Sequence, residues 1–363
     1  MEGSWARIRA AERVEGLGAA GLADRDLRRE VLTVLRGVLD FAAYVWLLTD
    51  PVTEVGTAPL AEVPCLTELP ALIKAKYATT VNRWTVLLGQ ARPAGLLSQA
   101  TGGDLAQSGV WRELLSRYQI VDVASVVFAD QHGCWGFLDL WRNDTRRPFG
   151  AKDAGLLADL AAPLATALRQ CQARTFAGPA AGHRADAGPV VLTLDADLRI
   201  TSRTAASRDW LDVLLPPRPG QAAIPASVYN VAAQLLAAGE GIDDHPPLAR
   251  THLAEGLWLT LRAATLGAGE QAGAPRPAGA ALVVTIEETS AAGRLDLFAR
   301  AFAFTVRERE LLALLAAGRH TRAMARRMHL SEHTVQDHLK SIFAKTGARD
   351  RVSLLSRALG RNS

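Results

Sequence analysis

Cysteine is scarce: Cys65, Cys134 and Cys171 stand alone among 363 residues, with no C-x-x-C spacing. Neither a disulfide framework nor a zinc site is suggested. Long apolar runs are missing too. The longest uncharged stretch, Pro219–Gly239, is broken by two prolines and by Gln221, Ser227, Asn230 and Gln234, so it is no membrane span. The N-terminal "MEGSWARIRAAERVE" is charged throughout and has no apolar signal core. A cytoplasmic protein with no membrane partner is expected. No Ser/His/Asp set, no carboxylate pair in a suggestive frame and no receiver-type acidic pocket can be seen, which argues against an enzyme. No cofactor, resident metal or internal repeat is expected.

What is present fits a soluble multidomain chain. A length of 363 residues suits two or three domains, and 49% hydrophobic with 21% charged residues is ordinary for globular protein. The net charge of +4 is unevenly spread. Arg294–Ser363 carries 14 Lys/Arg against 6 Asp/Glu, a balance of +8, so the preceding residues carry −4. A basic tail on a mildly acidic body suggests polyanion binding, and charge alone leaves DNA, RNA and membrane open.

Along the chain, Leu22–Phe41 reads as an amphipathic helix with Leu27, Val31, Val34, Leu35 and Val38 at helical spacing. Ala42–Asp50 reads as a strand. Residues 53–110 mix short helices with loops. "IVDVASVVFAD" (Ile120–Asp130) and "GCWGFLDLWRN" (Gly133–Asn143) read as a hairpin, and Pro148–Gln170 as a long closing helix. Together they describe an α+β, sensor-like domain. Arg174–Pro189 is Gly/Pro-rich linker. Val190–Thr201 reads as strand, turn, strand; Arg203–Leu215 and Ala226–Ala238 as helices; Leu257–Leu266 and Ala280–Glu288 as strands around a flexible Gly267–Gly279 loop. This is a second, smaller α+β unit.

The end of the chain is all helix. Thr305 and Glu308 form a T-x-x-E capping box ahead of Leu311, Leu312 and Leu315, and Gly318 stops that helix. Thr321 opens a short helix with Met324, Ala325 and Met328. "HL" turns the chain, Ser331 caps a longer helix, and Asp350 can cap a fourth carrying Val352, Leu355 and Leu359. Short helix, tight turn, longer helix is the helix-turn-helix arrangement. Val335, Leu339 and Ile342 fill the inner face of the longer helix, and His333, Gln336, Asp337 and Lys340 occupy its outer face. Gln can pair with adenine, Lys can reach guanine, and Asp can accept from cytosine. A solvated face in an ordinary bundle would also be polar.

"FTVRERELLALLAAGRHTRAMARRMHLSEHTVQDHLKSIFAKTGARDRVSLLSRAL" (Phe304–Leu359) closely resembles the LuxR-type, or GerE-type, helix-turn-helix of bacterial transcription factors. The resemblance is carried by Thr305, Arg307, Glu308, Glu310, Gly318, Ala325, Ser331, Thr334, Val335, His338, Ile342, Lys345 and Arg351. It implies base contacts from Gln336, Asp337 and Lys340, and backbone contacts from Thr334, His338 and Lys345; the charge and placement of Arg326 and Arg327 on the preceding helix add them to the expected phosphate contacts. Val335 is counted with this DNA-binding set. The fourth helix, with Val352, Leu355 and Leu359, is the dimer contact that the family implies. Departures are Ala323 where an acid is usual, Met324 for isoleucine, and Thr346–Ala348 where Leu-Gly-Val is common.

Residues 22–172 resemble a GAF domain through the hairpin and closing helix, and residues 188–288 resemble a PAS domain through "VVLTLDADLRITSRTAASRDWL" and the paired late strands. The expected layout is a GAF-like domain at 1–173, linker 174–188, a PAS-like domain at 189–288, linker 289–303 and an all-α, four-helix domain at 304–363. Expected partners are double-stranded DNA, a second copy on DNA, a small-molecule ligand at the sensors, and RNA polymerase. Two rival readings are a helix-turn-helix protein whose upstream domains only dimerise, and a ligand-binding enzyme with a polyanion-docking tail.

Other patterns carry less. "GLGAAG" (Gly16–Gly21) matches a dinucleotide fingerprint but follows a charged helix rather than a strand. Cys134 reads as a core thiol and His132 as a turn residue. "DDHPP" (Asp243–Pro247) reads as an exposed loop before a metal site. Trp46, Trp84, Trp111, Trp135 and Trp141 read as core before pocket lining.

Overall fold

In the computed structural model the described residues are 2–177, 190–207, 226–253, 257–267 and 281–360. They fall into two compact units: Met1–Leu168 with Asp186–Thr251 and Thr260–Glu287, and Arg169–Ala185 with His252–Leu259 and Glu288–Ser363.

The first unit opens with α1 (Glu2–Ala19) and α2 (Asp24–Leu39), which pack together. Of the expected stripe of α2, Leu27, Val31 and Leu35 are buried and Val34 and Val38 half-buried, while Leu32 and Leu39 join the buried side. β1 (Ala43–Thr49), β2 (Gly56–Glu62), β3 (Ala94–Leu96), β4 (Ile120–Asp130) and β5 (Gly133–Asn143) then build an antiparallel sheet in the order β2-β1-β5-β4-β3. The β4–β5 hairpin forms its centre, and both strands are buried on both faces. One face carries Val123, Val127, Phe137 and Trp141. It is covered by the stretch that gave few signals, as α3 (Leu69–Ala78), α4 (Trp84–Leu88), α5 (Leu97–Ala100) and α6 (Gly109–Glu113) supply Leu72, Trp84, Leu87, Leu97 and Val110. The other face carries Trp46 and Phe128, with ring centroids 5.2 Å apart. Helix α7 (Ala151–Arg174) approaches it at Gly136, where a Cβ would lie 2.7 Å from the Leu47 carbonyl oxygen and 3.4 Å from Leu168 Cδ1. The closer contact is with the β1 backbone, and glycine is needed there.

β6 (Val190–Leu194), β7 (Ile200–Arg203), β8 (Leu248–His252), β9 (Trp258–Leu266) and β10 (Ala281–Glu288) make a second sheet, ordered β7-β6-β10-β9-β8. Helix α8 (Ala226–Gly239) packs on α3 and β2 of the first sheet. It is buried around most of its circumference, polar Ser227, Asn230 and Gln234 included, and lies against the edge strand β2. Polar bonds join the two sheets within this unit. Arg250 grips the fully buried Asp50 with Nε at 2.6 Å and Nη2 at 3.0 Å. Asn230 Nδ2 donates to the Gly56 carbonyl at 2.9 Å, and Arg83 pairs with Asp243 at 2.8 Å. Charges this deep hold only because each is paired. Residues 178–188 of the expected linker, 208–215 of the expected helix and 268–279 of the expected loop lie outside the described residues.

The second unit has one apolar core. Phe176 stacks on Trp258 with centroids 5.2 Å apart and meets Phe298 edge-on at 5.3 Å. α9 (Ala291–Ala301), within the 289–303 stretch read as linker, contributes Leu297 and Phe298 to this core. Four helices follow: α10 (Val306–Ala316), α11 (Thr321–Met328), α12 (Glu332–Thr346) and α13 (Arg351–Leu359).

Candidate nucleic-acid interface

The local chemistry of each helix end sets how α12 is presented. Thr305 Oγ1 accepts from the Glu308 amide at 3.2 Å, and Glu308 Oε2 accepts from the Thr305 amide at 2.7 Å, completing the expected capping box. α11 ends at His329, which takes the left-handed conformation at φ 55°, and the Leu330 amide returns to the Ala325 carbonyl at 2.9 Å. This closes the turn between α11 and α12 without glycine. Ser331 Oγ then accepts from the Thr334 amide at 3.0 Å and starts α12, with Glu332 in its first turn. Gly347, at φ 65°, ends it.

α12 is two-sided. Val335, Leu339, Ile342 and Thr346 are buried, against a core that includes Met324, Met328, Leu311 and Leu354. Glu332, His333, Gln336, Asp337 and Lys340 are exposed, and Thr334 and His338 are half-buried beside them. Among the expected contacts, then, Gln336, Asp337, Lys340, Thr334 and His338 share one accessible side of one helix. Arg326 and Arg327 are exposed on α11. Arg322, not singled out from the sequence, is exposed one turn before Arg326. The i, i+4 spacing of two arginines was the signal that marked it.

Two expected positions are placed differently. The Val335 side chain has 0% exposure and faces the core, because the stripe that packs α12 runs through it. Lys345 turns its ammonium inward: it pairs with Glu308 Oε2 at 2.6 Å and donates to the Ala303 carbonyl at 3.1 Å. Glu308 also accepts from Ser341 Oγ at 2.7 Å. Burial would raise the Glu308 carboxyl, but the bonds from Lys345, Ser341 and the Thr305 amide outweigh it and hold the group below the usual carboxylate range. One buried acid thus ties the start of α10 to the end of α12 and fixes the tilt of the exposed face.

On that face Asp337 is a hub. Its Oδ1 lies 3.2 Å from Lys340 Nζ, and its Oδ2 lies 3.5 Å from His333 Nε2. α13 is capped by Asp350, whose Oδ1 accepts from the Ser353 amide at 2.7 Å. Leu354 and Ala358 face the core, so Val352 stays 65% exposed and Leu355 and Leu359 are half-buried. Arg351 Nη2 donates to Thr321 Oγ1 at 2.7 Å and Arg357 Nη1 to the Thr346 carbonyl at 2.9 Å, locking α13 against α11 and α12.

The patterns outside this domain resolve as structure. Trp46, Trp135 and Trp141 are fully buried, and Trp84, with Tyr77, Phe137 and Gln234, lines a small cavity in the first unit. Cys134 is buried, which pushes its thiol up to about 12. Asp243 is a correction to the expected exposed loop: its carboxylate is buried because Arg83 and Gln234 bond it. Burial would raise its pKa, but bonds from the His245 amide and ring and from Arg83 lower it overall. His245 is raised to about 9, chiefly by Glu54 and then by Asp243. The three ligand-capable groups Asp243, Asp244 and His245 lie close together, yet the Asp243 oxygens are committed to internal donors. In "GLGAAG", Gly16 to Gly18 lie within α1, with no strand before them.

Residues 303–358 match the family described as bacterial regulatory proteins, luxR family. A 71-residue stretch is 39% identical to a probable HTH-type transcriptional regulator, GfsR, of Streptomyces halstedii. That similarity spans 20% of this chain and 29% of the Streptomyces protein.

Proposed function

We propose that this chain, whose residues 303–358 form a LuxR-family helix-turn-helix domain, is a sequence-specific regulator of transcription that acts on duplex DNA. The observation that carries this reading is the two-sidedness of α12. Its inner stripe is fully packed, while Gln336, Asp337 and Lys340 project clear of the core. α12 enters the major groove, where these three meet base edges. Thr334, His338, Arg322, Arg326 and Arg327 meet phosphates and set the register. Two copies join through Val352, Leu355 and Leu359 of α13 and reach half-sites about 34 Å apart, one helical turn.

The two sheets upstream act as GAF-like and PAS-like sensors in this reading. A small-molecule ligand there shifts the protein between two arrangements through its different affinity for each. Residues 289–303, with α9, carry the change to the DNA-binding helices.

Titration of the full chain against duplexes selected from a random pool, with excess competitor DNA, tests the assignment. A preferred sequence bound about 1,000-fold or more above competitor is expected. Equal affinity for every sequence, falling steeply with salt, would reduce the tail to a generic polyanion binder.

A further inference from the structure

We propose that Asp337 and Lys340 work as one reading element for a single G·C pair, rather than as two separate base contacts. The inference rests on the DNA-binding role assigned above. Asp337 and Lys340 are three residues apart on α12, so they share one face of the helix. Lys340 Nζ stands 3.2 Å from Asp337 Oδ1. The pair therefore offers a donor directly beside an acceptor.

In the major groove, a G·C pair presents the reverse arrangement. Guanine O6 accepts, and cytosine N4 keeps one outward hydrogen to donate. These two atoms are Watson–Crick partners about 2.9 Å apart, the ordinary N–H···O separation. The side-chain spacing matches the base-edge spacing. With Lys340 on O6 and Asp337 on N4, each side chain keeps its partner in the helix while it gains one on the base pair.

Physical reasons favour the pair over either residue alone. A carboxylate on a DNA-facing surface is repelled by phosphates, and the Lys340 ammonium neutralises it. A lysine alone accepts guanine O6 or thymine O4 as partner, because both are acceptors. Asp337 fixes the orientation, since C·G and A·T pairs present donor and acceptor in the opposite order, while T·A shares the order of G·C and is set apart by the thymine methyl group that stands where guanine has N7. His333 Nε2 lies 3.5 Å from Asp337 Oδ2 on the other side of the carboxylate.

Selection of duplexes from a random pool by the full chain, followed by affinity measurements, tests this. Wild type, Asp337→Ala, Lys340→Ala and the double variant are each titrated against the selected site and against versions carrying C·G, A·T or T·A at each position. Both residues are exposed, so neither substitution disturbs the core. We expect wild type to prefer G·C at one position per half-site by about 5- to 150-fold. Either single substitution should erase most of that preference at that same position, and the second should add little. Single substitutions that relax two different base pairs, or losses that simply add, would overturn the paired reading and leave DNA recognition standing. A pool that yields no enriched sequence would overturn the proposed function itself, and the pair with it.

Discussion

Glu308 does more than cap a helix. It accepts from the Thr305 amide, Ser341 and Lys345 at once, and so joins two helices whose relative tilt decides what α12 shows to solvent. Glu308→Ala removes the returning half of the capping box and strands Lys345. The cost is about 2 kcal/mol, below that of a fully buried pair because Lys345 keeps 31% side-chain exposure and can turn to water. Glu308→Gln keeps the acceptor for Thr305 and should cost about 1 kcal/mol. The folded carboxyl lies below its ordinary 4.5, so its contribution is complete above that value and is lost as pH falls through the folded one. Thermal unfolding of wild type and Glu308→Gln should therefore differ at pH 7 and converge in acid. A gap of constant size down to pH 3 would contradict this role. Lys345 illustrates what a linear reading cannot supply. Its charge is visible in the sequence, but the acid that claims it lies 37 residues earlier.

At the scale of elements, what was legible followed periodicity. The β4–β5 hairpin, the α2 stripe and all four terminal helices were read from spacing and caps, within a few residues of their observed ends. β2 and β3 were not. β2 holds Pro59 and lies at a sheet edge, where a missing donor costs nothing, so its sequence lacks the usual strand pattern. β3 has three residues and β8, "LARTH", alternates without a strong apolar face. Such strands are set by the sheet that receives them. α13 is legible in another way: its cap and its two faces follow from the sequence, but only the fold shows that Leu354 and Ala358 take the inner face. Val352 is thereby left outward, and Leu355 is half-buried at the edge of the core. Leu355→Asp should weaken binding to a duplex with two half-sites by about tenfold or more, and leave a single half-site bound as before. Gel-shift titrations of the two duplexes, with circular dichroism confirming the fold, decide this. Equal loss on both would mean that Leu355 serves the fold or the DNA contact instead of pairing.

At the scale of the molecule, charge and architecture are segregated. The sheets, joined by Asp50–Arg250 and Asp243–Arg83, spend their buried charges on each other. The terminal helices bury Glu308 with Lys345 paired to it and keep most other charges outward, and Arg294–Ser363 carries a balance of +8. Each phosphate neutralised on binding should add about −0.9 to the slope of log affinity against log salt. Arg326→Ala and Arg327→Ala should each flatten that slope by about 1 and weaken all sequences alike, unlike substitutions at Asp337 or Lys340. The account turns on whether the exposed side of α12 meets base edges. A crystal structure of the full chain on its selected duplex tests this most directly. The account predicts α12 in the major groove, with Gln336, Asp337 and Lys340 in hydrogen-bond contact with bases. A complex in which α12 stands clear of the groove, or touches only phosphates, would contradict it.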